Sequence, residues 1–346
     1  MSPRHVEPQI AVRHPRETPE LFGHAEAERA LLDAYRGGRI PHAWLLGGPQ
    51  GIGKATLAYR MARFVLTHPD PQLQAVQDAE TLDVDPGHAV SRHIASGAHG
   101  GLLTLERTAN DKGVMRTMIV VDQTRETVPF FGSTAAIDGW RICIVDSVDE
   151  LNPNGANALL KILEEPPKNS LFFLISHAPA RLLPTILSRC RKLPMRPIAT
   201  DDVVQAIVHA SEREADDPAL IEAADFSEGS VARALTLMGG DALKLQQRTA
   251  ALLDTLPRVD PRQLHALSDA LPLSDRASLA AFTDSIERWI GERLHGADAN
   301  ANLARLARLA EVWDKISRAA RETESYNLER KPLVFSVFGL LAEATA

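Results

Sequence analysis

Gly48-Pro49-Gln50-Gly51-Ile52-Gly53-Lys54 has the G-x-x-x-x-G-K spacing of a phosphate-binding loop. Its glycines, Gly48, Gly51 and Gly53, let backbone amides turn inward around phosphate oxygens, and a helix N-terminus behind them adds favourable partial charge. Lys54 is placed to reach β- and γ-phosphates. The next position should carry a hydroxyl to hold Mg²⁺, but it is Ala55. Thr56 follows one residue late, about 100° further round a helix. A second site for chemistry is the apolar run Ile142-Cys143-Ile144-Val145, closed by Asp146. In phosphate-loop ATPases such an aspartate helps to hold Mg²⁺. A solvated strand-end aspartate is an equal alternative here. A carboxylate that polarises water would stand next, and the residue there is Ser147, a poor base. Asp149 and Glu150 follow, and a strand-end turn is expected to aim them elsewhere. The joint loss at Ala55 and Ser147 argues against hydrolysis. The amide cradle and Lys54 can still hold ATP or ADP weakly, with Mg²⁺ not securely bound.

These residues need elements to position them. Ala43–Leu46 reads as a short buried strand entering the loop, and Leu57, Met61, Phe64 and Val65 share one face of a helix leaving it. Ahead of them a helical pattern covers Ala25–Tyr35. Leu102–Leu105, Ile142–Val145 and Leu171–Ile175 read as further strands. Ile119–Val121 is ambiguous between strand and helix entry. Ala156–Leu163 is helical and must stop at Glu164-Glu165-Pro166-Pro167, because proline cannot continue a helix. Alternating strands and helices predict a parallel sheet covered on both faces. Residues 1–18, with three prolines, read as a loose arm, and 67–100 as an irregular excursion of undetermined structure. After about Pro197 the strand patterns end. Residues 200–238 read as short helices and 262–343 as longer amphipathic ones, in which Leu303, Leu306, Leu309 and Trp313 form a core stripe.

The bulk properties set outer limits. The chain has 346 residues, 45% hydrophobic and 24% charged, with a formal charge of -7. That is an ordinary globular composition in two or three domains. A chain that bound DNA alone would carry a basic excess, so any DNA contact is local or shared. The two cysteines, Cys143 and Cys190, read as buried thiols and exclude a disulfide scaffold or a four-cysteine zinc site. The N-terminus has no apolar signal core, and no run reaches the length of a membrane span. A cytoplasmic protein is expected.

Two further strings have a family resemblance. Asn157-Ala158-Leu159-Leu160-Lys161-Ile162-Leu163-Glu164-Glu165-Pro166-Pro167 is similar to the NALLKxLEEPP signature of bacterial clamp-loader subunits. Ser188-Arg189-Cys190 matches the SRC motif of the same AAA+ family. Helix physics explains the leucines of the first string but not the whole of it. The resemblance covers most of the first 240 residues and implies an AAA+ domain (1–198), a small helical lid (199–250) and a helical collar domain (251–346). In that family the SRC arginine reaches ATP held by an adjacent subunit and neutralises charge on the departing γ-phosphate. Read from the residues alone, Arg189 is better taken as a structural ion pair at the end of a helix or loop, and it is the resemblance that favours the finger.

Within the family, motor subunits have a complete phosphate loop, an acidic box and four zinc-binding cysteines, and a wrench subunit generally lacks SRC. Ala55, Ser147, two cysteines and a retained Arg189 together resemble the third kind, delta prime. That implies a stator in a DNA polymerase III clamp loader. Its partners would be motor (gamma/tau) and wrench (delta) subunits, and it would meet the sliding clamp and primed DNA through the complex. His177, with Ser176 beside it, falls where AAA+ proteins keep a γ-phosphate sensor. Glu228-Gly229-Ser230 resembles the start of a second sensor helix. A motor would have arginine where Ala232 stands, and Arg233 reads as an exposed helix residue. The missing zinc module leaves His88, His93 and His99 as loop histidines, with a replacement metal site the alternative. Two competing functions remain: a clamp-loader motor that hydrolyses ATP itself, and a small-molecule phosphoryl-transfer enzyme, which would leave both family strings unexplained.

Overall fold

The computed structural model describes residues 13–109, 116, 118–132, 139–211, 213–238, 242–272, 276–295, 303–326 and 328–345, with the side chains of 276–277, 295, 303–306 and 324–325 excepted. Five strands, β1 (Ala43–Gly47), β2 (Leu102–Glu106), β3 (Arg141–Asp146), β4 (Ser170–Ser176) and β5 (Arg191–Pro194), form one sheet in the order β2-β3-β4-β1-β5. All neighbours are parallel. Helices α1 (Ala25–Arg36), α2 (Lys54–Thr67), α3 (Gln74–Gln77), α4 (Ala89–Ala95), α5 (Val121–Arg125), α6 (Thr127–Gly132), α7 (Pro153–Glu164) and α8 (Pro184–Leu187) surround it. This is the parallel α/β sheet, covered by helices, that the alternating pattern predicts.

The central strands are apolar throughout because both their faces are covered. Trp44 and Leu46 of β1, Ile142 and Ile144 of β3, and Phe173 and Ile175 of β4 point to one side, packed with Leu57, Met61 and Phe64 of α2 and Leu31 and Tyr35 of α1. The alternate residues Leu45, Cys143, Val145, Phe172 and Leu174 meet Leu159 and Leu163 of α7 on the other. Each such side chain taken from water contributes roughly 1.5–3 kcal/mol.

Several boundaries differ from the sequence reading, each for a local reason. Helix α7 begins at Pro153, three positions before the apolar pattern starts: Asn152 caps it by accepting from the Gly155 amide at 2.7 Å, and proline suits a first turn. Strand β5 was not expected. Arg-Lys-Leu-Pro has no buried face pattern, since an edge strand beside β1 needs only backbone pairing on one side. Ile119–Val121 takes both expected roles, with Ile119 bridging to Leu151 and α5 starting at Val121. The excursion at 67–100 contains the short α3 and α4. Cys143 is fully buried, but Cys190 is only half-buried, and both are free thiols.

The chain divides into two compact units between Ala234 and Leu235. The first also contains α9 (Thr200–Ala210), α10 (Pro218–Phe226) and the start of α11 (Val231–Met238). The second is helical: α12 (Ala242–Leu253), α13 (Pro261–Asp269), α14 (Arg276–His295), α15 (Leu303–Ser325) and α16 (Arg330–Thr345). Its core gathers Phe282, Ile286, Trp289, Ile316, Val334 and Phe338. Leu309 is buried there with Trp313 packed against it, whereas the side chains of Leu303 and Leu306 lie outside the described residues. Of the arm at 1–18, residues 1–12 are outside them too. Pro15–Glu17 forms a 3-10 turn, and His14 donates to Glu106 at the end of β2 across 3.0 Å. Among the described residues no helix is long and apolar enough to cross a membrane.

Candidate nucleotide site and arginine finger

Strand β1 runs into the glycine loop at the carboxyl end of the sheet, where open parallel sheets bind ligands. The loop requires glycine at particular positions. Gly51 has φ +77°, and a Cβ there would lie 2.3 Å from Ser230 Oγ and 2.8 Å from the Ala232 side chain. Gly48 passes so close to the Met195 carbonyl that a Cβ would lie 2.2 Å from it. Gly53, at φ +101°, starts α2.

Lys54 is buried, and its ammonium donates to the carbonyls of Gly48, at 2.6 Å, and of Pro49. Burial lowers its pKa to about 8, against the pull of Asp146 and Asp149. Ala55, in place of the Mg²⁺ hydroxyl, packs against the apolar cluster on this face of the sheet. Thr56 sits half-buried in the first turn of α2. The buried His24 donates from Nε2 to the Ile52 carbonyl at 2.6 Å, and burial lowers the pKa of its ring.

Asp146 ends β3 directly beside Glu106 of β2. Burial raises its pKa first and the Glu106 charge second, while Lys54 opposes both. Glu106 itself is held low by the hydrogen bond from His14. Ser147 is buried and donates to Asp149 across 3.2 Å.

The expectation that Asp149 points elsewhere is corrected. The Val148–Glu150 3-10 turn swings it back over the end of β4, where it accepts from Ser176 Oγ at 2.8 Å and from the His177 amide at 2.6 Å. Ser176 and His177 are thus brought to the loop, and Asp149 is already bonded to both. Burial and the Lys54 charge lower the pKa of the His177 ring, whose Nδ1 has no hydrogen-bond partner among the described residues.

The segment from Glu228 to Arg233 also closes on the loop. The Ala232 amide donates to the Gly51 carbonyl at 3.3 Å, and Ile198 donates to the Gly229 carbonyl at 3.3 Å. Arg233 is not an exposed helix residue as expected. Its side chain is 22% exposed and pairs with Glu228 at 3.4 Å. The structure therefore gathers Gly48, Gly51, Gly53, Lys54, Thr56, Asp146 and His177 at one end of the sheet. Among the described residues no three His, Cys, Asp or Glu side chains converge as a metal-ligand set, the loop histidines included.

Arg189 is elsewhere. It follows α8 and precedes β5, whose Arg191 pairs with Trp44 near the start of β1. The end of α7 is at the same level, since His42 donates to the Leu163 carbonyl at 3.1 Å. Arg189 therefore lies at the amino edge of the sheet, at least the Trp44-to-Gly48 length of strand, roughly 13 Å, from its own loop. There it donates from NH2 to Glu164 Oε1 at 2.5 Å and from NH1 to the Thr185 carbonyl at 2.8 Å. The side chain remains 31% exposed.

A family model described as "DNA polymerase III, delta subunit" matches residues 23–199. The chain belongs to this family. It is 38% identical over 156 residues to DNA polymerase III subunit delta' of Pseudomonas aeruginosa, covering 44% of this chain and 43% of that one. With subunit delta' of Escherichia coli the identity is 32% over 217 residues, covering 61% and 58%. With DNA polymerase III subunit gamma of Buchnera aphidicola it is 24% over 358 aligned positions, covering 95% and 94%. The chain spans about half the length of the delta' relatives in these matches.

Sequence reasoning missed Asp149 and Glu164 as members of these sites. Glu164 was visible as part of the family string, but its partner is 25 positions away. Nothing in the spacing of Asp149 distinguishes a carboxylate that turns back from one that points into solvent.

Proposed function

We propose that this chain is a delta-prime-type stator of a DNA polymerase III clamp loader that lends Arg189 to ATP held by a neighbouring subunit. The observation that carries this reading is the separation of Arg189 from its own phosphate loop: the two lie at opposite edges of the sheet. A guanidinium on the amino edge can meet phosphate only if another molecule brings it. Arginine suits that task, because a planar, permanently charged fork meets several phosphate oxygens at once.

The chain's own loop supports the same reading. It has no hydroxyl at Ala55 and no carboxylate at Ser147. Asp149 is occupied by Ser176 and His177, and Ala232 stands where a motor would have arginine. What the loop retains, Gly48, Gly51, Gly53 and Lys54, would cradle ATP or ADP weakly. Asp146 remains beside it, but without a hydroxyl at position 55 Mg²⁺ would not be securely held. Motor (gamma/tau) and wrench (delta) subunits would be its partners, and it would contact the sliding clamp and primed DNA within the complex. In this reading residues 1–198, 199–250 and 251–346 act as AAA+ domain, lid and collar.

The test is to assay the purified chain for ATP hydrolysis alone and then with motor and wrench subunits. The stator reading expects negligible turnover alone, stable assembly, and clamp-stimulated hydrolysis that needs this chain. Turnover by the isolated chain at a motor's rate, abolished by Lys54→Ala, would instead establish a hydrolysing motor.

A further inference from the structure

We infer that Glu164 is the positioning residue for Arg189: its carboxylate holds one edge of the guanidinium so that the other edge is presented to an incoming phosphate. This rests on the reading of Arg189 as a trans finger and names a residue through which that finger works. Glu164 is the last residue of α7, fixed at the amino edge by the Leu163 carbonyl bonded to His42. Arg189 follows α8, and Ser188, which caps that helix, donates to the Thr185 carbonyl at 3.0 Å. The two helix ends thus form a bracket. NH2 is held by Glu164 Oε1 at 2.5 Å, and NH1 by the Thr185 carbonyl at 2.8 Å and more loosely by Ser188 Oγ at 3.4 Å.

A guanidinium has five N–H donors. The bracket takes three and leaves the rest for a ligand. An arginine without it would sample many rotamers, and ordering it would oppose each encounter with phosphate. Glu164 is 49% exposed, so it adds little to the stability of the fold. Its carboxylate is a hydrogen-bond acceptor at a fixed place, which predicts that an amide oxygen in the same place does much of the same work.

The experiment rebuilds the full complex with wild-type chain, Glu164→Ala, Glu164→Gln, Arg189→Ala and the Glu164→Ala/Arg189→Ala double variant. Equal assembly is confirmed by size exclusion, and clamp- and primed-DNA-stimulated hydrolysis is measured against ATP concentration. Glu164→Ala should lower kcat on the order of fivefold with KM for ATP nearly unchanged, the size expected when one long side chain must be ordered at each turnover. Glu164→Gln should recover most of the loss. The double variant should be no slower than Arg189→Ala alone. If Arg189→Ala slows the complex while Glu164→Ala leaves kcat unchanged or raises it, the positioning role is wrong and the finger stands. If Glu164→Ala is as harmful in the Arg189→Ala background as in wild type, Glu164 acts through something other than Arg189 and the inference also fails. If Arg189→Ala is itself without effect, the trans-finger reading fails and takes this inference with it.

Discussion

Replacing Arg189 by alanine tests the trans reading at one side chain, and the structure sets two magnitudes. The first concerns stability. Arg189 and Glu164 are 31% and 49% exposed, so their ion pair belongs to the surface class, worth about 0–1 kcal/mol. The Thr185 carbonyl, on losing NH1, still accepts from Ser188 Oγ, so the substitution orphans no buried group. A change of 1 kcal/mol would move Tm by roughly 2–4 °C in a unit of this size. The second concerns hydrolysis at the site Arg189 would serve. A hydrogen bond to a charged group is worth about 1.5–3 kcal/mol, which is roughly a ten- to hundredfold loss of rate if made only in the transition state. The assay is stimulated ATP hydrolysis and clamp loading on primed DNA by the rebuilt complex, after equal assembly has been shown. Arg189→Lys should recover little, because a single ammonium cannot reproduce the fork. A complex that contains Arg189→Ala, assembles normally and hydrolyses ATP at the unaltered rate would reduce Arg189 to a structural residue.

Other expectations follow from the loop. ATP titrated onto the isolated chain should bind weakly and with little dependence on Mg²⁺; strong Mg²⁺ dependence would show that Thr56 or another group replaces the missing ligand. Lys54, with its pKa lowered to about 8, binds fewer protons folded than unfolded between about pH 8 and the ordinary lysine value near 10.4. Stability should therefore gain from rising pH across that window through this residue. Urea midpoints of wild type and Lys54→Met, compared from pH 7.5 to 9.5, should diverge in favour of wild type as pH rises, and parallel profiles would refute the shift. Gly51→Ala must accept φ +77° and a methyl 2.3 Å from Ser230 Oγ. It should cost about 1–3 kcal/mol in chemical denaturation, and an unchanged midpoint would show that the segment around Ser230 and Ala232 yields freely.

The sequence by itself determined the elements whose residues answer to a local rule. Strands β1, β3 and β4 are legible because both faces of each are buried, leaving an unbroken apolar run. The phosphate loop is legible because its glycines and lysine are contiguous, and α7 because its leucines recur at helical spacing before two prolines. The two absences, at Ala55 and Ser147, are also sequence facts, and they alone point away from hydrolysis. Tertiary structure decided what depends on distant residues meeting. Strand β5 exists because the edge of β1 offers backbone partners, whatever the side chains of Arg191 and Lys192 prefer. Asp149 enters the site because a 3-10 turn returns it to the end of β4, and a single carboxylate gives no sign of its direction. The closure of Ala232 on Gly51 joins residues far apart in the chain through a hydrogen bond between backbone atoms, which no side-chain pattern encodes. The placement of Arg189 on the opposite edge from Lys54 follows from the parallel register of β1 and β5, and register is a property of paired strands that neither strand possesses alone.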